Sequence, residues 1–368
     1  MPGPRSASCC PAPRGCAALV TSRERLGIAG EQEYPVSPLS LDSAVKLFTA
    51  RAQQVKPGFE PGEEVDEICE RLDRLPLALE LAATRVKLLS ERQLLSRLEQ
   101  RLPLLAGGRR DLPARQSTMR AAIAWSHDLL DASEQHLFTR LGVFIGSFEL
   151  EAAEQICGAD LDTLQSLLDK SLLRRDEDGR FFLLATTREY ALEQFDASDD
   201  QDEIRSRHAH WYFALGVAAG RQDAERATAL TRLRRDPGNV SLALAWALEH
   251  DIAAGLPLAV SLFYPWSGAG RVAELRRWYE RALADPGALS SSERAEALAG
   301  LGITLAYTDT HDPAREALTE ALTLFREAGD ERDEARVLMR LGGVEVFLRL
   351  ARQDAQMVRA GAPDLRTS

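Results

Sequence analysis

Cysteine, long apolar runs and basic charge are all scarce in this chain, and each shortage removes a class of protein. Five cysteines occur in 368 residues. Three of them (Cys9, Cys10, Cys16) lie in a proline-rich head and two (Cys69, Cys157) on apolar helix faces, which gives neither a disulfide framework nor paired zinc spacing. No stretch approaches the roughly 20 apolar residues that span a bilayer, and residues 1–17 lack the continuous apolar core of a signal peptide. A reduced cytoplasm is the expected compartment. Lys and Arg number 45 against 56 Asp and Glu, a net charge of −11, which argues against coating nucleic acid or anionic membrane by bulk charge. Also missing are a Gly-rich loop ending in Gly-Lys-Ser/Thr and an upstream acidic strand end to hold magnesium. Phosphoryl transfer needs that cradle and that metal, so hydrolysis of a nucleotide by this chain alone is not expected. His208 and His210 stand two apart on a predicted helix and point in different directions, so no metal site is expected of them. No Ser, His and Asp grouping has the context of a nucleophilic triad.

What is present is 45% hydrophobic residues, enough to bury real cores over two or three domains. The pattern is mainly α. Residues 1–16 show no helical or strand period and are expected to be disordered. Cys16 to Arg23 form a short apolar run with a polar tip, which suits a buried parallel strand. Asp42 is the expected cap of a helix carrying Val45, Phe48, Ala52 and Val55. A second helix puts Val65, Ile68, Cys69 and Leu72 on one face. Pro76 is placed to open a third helix, with Leu77, Leu81 and Leu88 inward. Ser90 and Gln93 have capping-box spacing for a fourth helix with Leu94, Leu95 and Leu98. Gly107-Gly108 closes this unit, which spans 41–110.

Between 115 and 200 the pattern changes to three or four helices and then a hairpin. Ile123, Trp125 and Leu129-Leu130 mark the first helix, Leu137, Phe138 and Leu141 the second, Ala152 to Ile156 the third, and Leu161, Leu164, Leu167 and Leu168 the fourth. Residues 172–175 and 180–184 flank a turn closed by Asp178-Gly179, a strong hairpin signal. Helices followed by a two-stranded wing predict a winged-helix domain. Thr186 and Glu189 have capping-box spacing for a helix that leaves the wing. The domain suits DNA poorly, because 115–195 hold 8 Lys or Arg against 14 Asp or Glu and phosphate binding needs several cations. Its prospective groove helix, Asp160 to Lys170, carries Asp160, Asp162 and Asp169 against Lys170 alone.

Residues 203–350 read as amphipathic helix pairs. Leu298, Leu301-Gly302, Ala314, Leu318 and Ala321 follow the small and large positions of a tetratricopeptide repeat. Leu338, Leu341-Gly342 echo its opening about 40 residues later, a longer period than the standard ~34. Trp246, Trp266 and Trp278 are both core and anchor candidates. The pattern fades over 351–368, expected to be a tail.

The order of these parts, with the elbow Arg71-Leu72-Asp73-Arg74-Leu75-Pro76-Leu77, resembles the bacterial branch of the signal-transduction ATPases with numerous domains, the group of NB-ARC proteins and AfsR-like antibiotic-type transcriptional regulators. The resemblance implies that 17–40 are the remnant of a nucleotide-binding domain whose front is missing, and that 41–110 are its helical lid. It implies that Arg23 senses the terminal phosphate and that Leu75, Pro76 and Leu77 touch adenine. It also implies an ADP/ATP-controlled switch in the intact protein, with weak or no nucleotide binding left in this chain, and a protein or peptide partner on the repeats. Two departures accompany it. Arg74 stands where relatives carry Gly, and Leu183, Leu184 and Ala185 stand where relatives carry a Met-His-Asp or Met-Leu-Glu element against the nucleotide. The alternatives are a nucleotide-independent interaction adaptor and a DNA-binding activator acting through the winged helix.

Overall fold

The computed structural model describes residues 19–20, 28, 31–32, 34, 36–98, 101–105, 118–308 and 310–361, with side chains to 346. The head, Arg23 and Gly107-Gly108 fall outside these residues. Leu19 and Val20, the described part of the expected sensor strand, are in no strand and are 97% and 54% exposed. A strand is held by its ladder to a neighbour, and the described strands pair only among themselves.

Helix α1 (Leu41–Val55) is capped by Ser40, whose extended backbone lets its hydroxyl accept from the Ser43 amide. The expected cap, Asp42, is already helical and pairs instead with Lys46 at 2.6 Å. Ala44, Phe48 and Ala52 bury one face. Helix α2 (Glu64–Arg71) contributes Val65, Ile68 and Cys69 to the same core, and α3 (Pro76–Ala83) opens with Pro76 at its first turn. After Ala83 the chain tightens into a 3-10 turn, Thr84–Lys87. At three residues per turn this carries Val86 inward and leaves Leu88, expected inside, 78% exposed. Helix α4 (Glu91–Arg97) has the Ser90/Gln93 capping box that its spacing predicts, and α5 (Arg101–Leu104) follows.

The next unit holds α6 (Met119–His127), α7 (Ala132–Leu141), β1 (Ser147–Phe148), α8 (Leu150–Ala152) running into a π-helical turn (Ala153–Cys157), and α9 (Leu161–Asp169). Strands β2 (Arg174–Arg175) and β3 (Phe181–Phe182) and helix α10 (Ala185–Phe195) complete it. Where a two-stranded wing is expected, three strands form an antiparallel sheet in the order β1-β3-β2, with Phe148 opposite Phe181. Two residues are too few for β1 to show an alternating pattern. Phe144 stacks on Phe148 at 4.1 Å behind it.

Nine helices among the described residues follow: α11 (Gln201–Gly220), α12 (Glu225–Arg235), α13 (Pro237–His250), α14 (Ile252–Ser261), α15 (Phe263–Ser267), α16 (Val272–Ala282), α17 (Ser291–Tyr307), α18 (His311–Ala328) and α19 (Glu331–Gly361). Helices α17 and α18 pair tightly because Gly302 has no side chain: a Cβ there would lie 2.5 Å from Leu318 Cγ. Trp266 and Trp278 are buried, and the Trp278 indole donates to the Leu244 carbonyl at 2.9 Å. Trp246 is half-buried and stacks on His250 at 4.4 Å. Helix α19 continues to Gly361, into the segment expected to be a tail, where Arg, Gln, Ala and Met favour helix.

The chain is thus mainly α, with one small sheet among the described residues. One continuous apolar cluster runs from Phe48 in α1 through α2 to α5 and the winged unit to Phe195 and Ile204. Two further clusters lie in the helical array.

Candidate functional site

The elbow between α2 and α3 turns through two residues in left-handed conformation, Asp73 and Arg74, each with φ 54°. Two turn bonds close it, from the Asp73 amide to the Glu70 carbonyl at 2.9 Å and from the Arg74 amide to the Cys69 carbonyl at 3.0 Å. Arg74 is therefore forced into the conformation that glycine adopts at no steric cost, as its position in the resemblance implies. Leu75 then becomes the extended N-cap of α3, half-buried beside exposed Pro76 and half-buried Leu77. The structure brings Leu75, Pro76 and Leu77 into one turn at the edge of the core shared by α1 to α5. Arg23 is outside the described residues.

Asp73 has a second task. Its carboxylate accepts from the Ala185 amide at 2.8 Å, at the first turn of α10, which leaves the wing. Four amides at a helix start lack partners, and the helix dipole favours an anion there. The end of Leu183-Leu184-Ala185 is thus met by the elbow's own carboxylate. This differs from the expected Thr186/Glu189 capping box: the N-cap of α10 is Leu184, with no side-chain bond, and the Thr186 hydroxyl is buried without a partner. With Asp73 already seated at the helix start, Glu189 is free to reach away. It accepts from the Arg101 and Leu102 amides at 2.8 and 3.0 Å and so caps α5. Arg101 in turn donates through Nε to the Arg71 carbonyl at the end of α2, at 2.9 Å.

These bonds close a ring from α2 through Asp73 to α10, through Glu189 to α5, and through Arg101 back to α2. Its electrostatics are cation-rich. Burial pushes the Asp73 carboxyl up, against the lowering influence of the Ala185 amide, Arg101 and Arg174. Arg188, on α10, is pushed down by burial and by Arg101 nearby, and its guanidinium donates to the Phe144 carbonyl. Burial raises the Cys69 thiol to about 12 and raises Cys157 further, so neither supplies a thiolate. His208 is buried against Asn239 while His210 bonds the Ser206 carbonyl, and no group of three or more metal-binding side chains occurs among the described residues. No described helix is long and apolar enough to cross a membrane.

The face of α9 that would enter a DNA groove keeps the acids read from the sequence. Asp160 caps the helix through the Thr163 amide, and the Thr163 hydroxyl, followed by that amide, holds its carboxyl low, while Lys170 is drawn to the buried Glu134. Of the ring, Asp73, Glu189 and Arg101 were not legible as site residues.

Residues 130–196 match the winged helix-turn-helix domain family. A putative HTH-type transcriptional regulator of Mycobacterium tuberculosis is 38% identical over 353 residues, covering 88% of this chain and 40% of that protein. An uncharacterized M. tuberculosis protein is 37% identical over 206 residues, 52% of each chain. Regulatory protein AfsR of Streptomyces griseus is 28% identical, covering 91% of this chain and 42% of its own. The chain therefore spans about two-fifths of the regulator matched at 38% identity. Among solved structures, a signal transduction ATPase with numerous domains (STAND) protein with a tetratricopeptide repeat sensor from Pyrococcus horikoshii covers 89% of this chain and 55% of its own. It is 14% identical with a TM-score of 0.29, at which the overall arrangements do not superpose.

Proposed function

Because this chain is a homologue of the AfsR-type regulatory proteins and carries a winged helix-turn-helix domain, we propose that it is the switch and sensor part of a transcriptional regulator of the signal-transduction ATPase type. The observation that carries the reading is the ring of Asp73, Glu189 and Arg101. A nucleotide switch must pass occupancy at its adenine side to its winged helix, and here the residue two before Leu75 itself caps the helix that leaves the wing. In the assembled switch, Leu75, Pro76 and Leu77 face adenine and Arg23 the terminal phosphate. The helical array takes a protein or peptide partner.

On this reading the chain alone holds ADP weakly and does not hydrolyse ATP. Without a phosphate cradle it forgoes about 5 kcal/mol, more than three decades in affinity. An ADP titration of the leucine-methyl-labelled chain tests this. The expected outcome is a dissociation constant above ~100 µM, with the first shifts at Leu75 and Leu77. Silence at both residues into the millimolar range would sink the elbow assignment, and micromolar saturation would sink the weak-binding claim. Duplex contact through α9 is disfavoured by its acids, so no salt-sensitive gel shift is expected at micromolar protein.

A further inference from the structure

A single run of alternating charges joins the winged unit to the start of the helical array. Glu151 pairs with Arg232 at 2.7 Å, Arg232 with Glu149 at 3.0 Å, and Glu149 with Arg180 at 2.9 Å. Arg180 then pairs with Asp236, which also accepts from the Tyr212 hydroxyl at 2.8 Å. Both array members of this run, Arg232 and Asp236, come from the stretch where α12 gives way to α13. Arg180 and Asp236 are 4% and 5% exposed. On its other side, the Arg180 guanidinium donates to the Ser147 hydroxyl and carbonyl at 2.9 and 3.0 Å. One side chain of the wing thus satisfies strand β1, the residue leading α8 and a carboxylate of the array at once.

Apolar faces tolerate small slides, because contact area changes little when one face shifts over another. Two buried charges with filled hydrogen bonds do not, because any displacement leaves one of them unpaired out of water. We propose that the Arg180–Asp236 pair is the coupling that makes the wing and α11–α13 move as one body. Displacement of the wing is passed to the array through this pair, and load on the array is passed back to the wing. The inference rests on the regulatory reading for the wing being a moving part. Its test uses no nucleotide, so failure of the ADP titration leaves its outcome unchanged.

Native-state hydrogen exchange on the full chain reads the coupling through three peptides: the wing (177–184), α11 (204–213) and α18 (314–325) as a distant control. In the wild type, wing and α11 are expected to open together. In Arg180→Met the wing peptide should exchange at least tenfold faster than α11, with α18 unchanged. Asp236→Asn keeps the shape and the Tyr212 contact, and it should produce the same split at two- to fivefold should Arg180→Met fail to fold. Independent opening of wing and α11 in the wild type overturns the proposal, as does a variant in which they still open together. Equal acceleration of all three peptides would show that Arg180 only adds stability, and this also overturns it.

Discussion

The winged unit is held at its two ends by different chemistry. Toward the elbow, carboxylates meet backbone amides, Asp73 on Ala185 and Glu189 on Arg101 and Leu102. Toward the array, charges meet charges, with Arg180 and Asp236 at the buried centre. A carboxylate on a helix start is a modest and forgiving bond, because water or a neighbouring hydroxyl replaces it when it lets go. A buried ion pair is unforgiving, because neither charge has anywhere to go. The elbow end is therefore built to release and re-form, and the array end to hold.

The largest expected effect breaks the array end. Arg180→Ala leaves Asp236 buried without its cation and should cost about 3–5 kcal/mol in urea unfolding. A cost below ~1 kcal/mol would mean that the pair behaves like a surface bridge and that the contrast is false.

Acidity probes the same end. Burial raises Asp236 to about 6 from an ordinary 3.8, outweighing Arg180 and the Tyr212 hydroxyl. Burial also lowers His208 to about 4 from 6.5, although Asn239 partly offsets it. Asp236 binds its proton more readily in the native state, so its contribution is full below pH 3.8 and is lost as pH rises through about 6. His208 binds its proton less readily in the native state, so its contribution is full above 6.5 and is lost as pH falls toward 4. The two slopes oppose one another across nearly the same window. The opposition should leave the joint dependence in the wild type shallower between pH 4 and 6 than either group alone would give. Asp236→Asn should unmask a loss of stability on acidification over that range. A variant profile that superposes on the wild type would refute the opposition.

Breaking the elbow end is expected to matter less. Asp73→Ala should cost about 1–2 kcal/mol and should loosen α10 exchange before that of α11. The smallest effect runs the other way. Arg74→Gly relieves a left-handed backbone and should raise stability by about 1 kcal/mol, measured as a higher urea midpoint at constant slope. A loss of stability would show that Arg74 makes a compensating contact.

Much of this contrast was hidden in the sequence, although the elements it joins were not. The Pro76 helix start, the Ser90/Gln93 box, the helix order of the winged unit and the Gly302 contact all rest on local rules acting over a few residues, and spacing displays them. The left-handed elbow at Arg74 was also legible, once glycine was expected there. Asp73 and Ala185 are 112 positions apart and Arg180 and Asp236 are 56 apart, and no periodicity links such pairs. Glu189 shows the limit most plainly. Its spacing from Thr186 satisfies a capping rule, yet the Asp73 carboxylate of the elbow had taken the site. Arg23 lies outside the described residues, so the elbow and not the sensor strand bears the nucleotide reading.

The order of strands in the small sheet sets a schedule for folding. Since β3 sits between β1 and β2, Phe148 must wait for Phe181 to be made before the middle of the sheet can close, and the intervening chain must first collect α8 and α9. The hairpin alone, two residues to a strand, is too short to persist in water. The wing is therefore a late product of the winged unit, assembled on helices already in place. Because Arg180 immediately precedes β3, its buried pair with Asp236 closes when the wing does, so the wing and the start of the array complete their folding in one step.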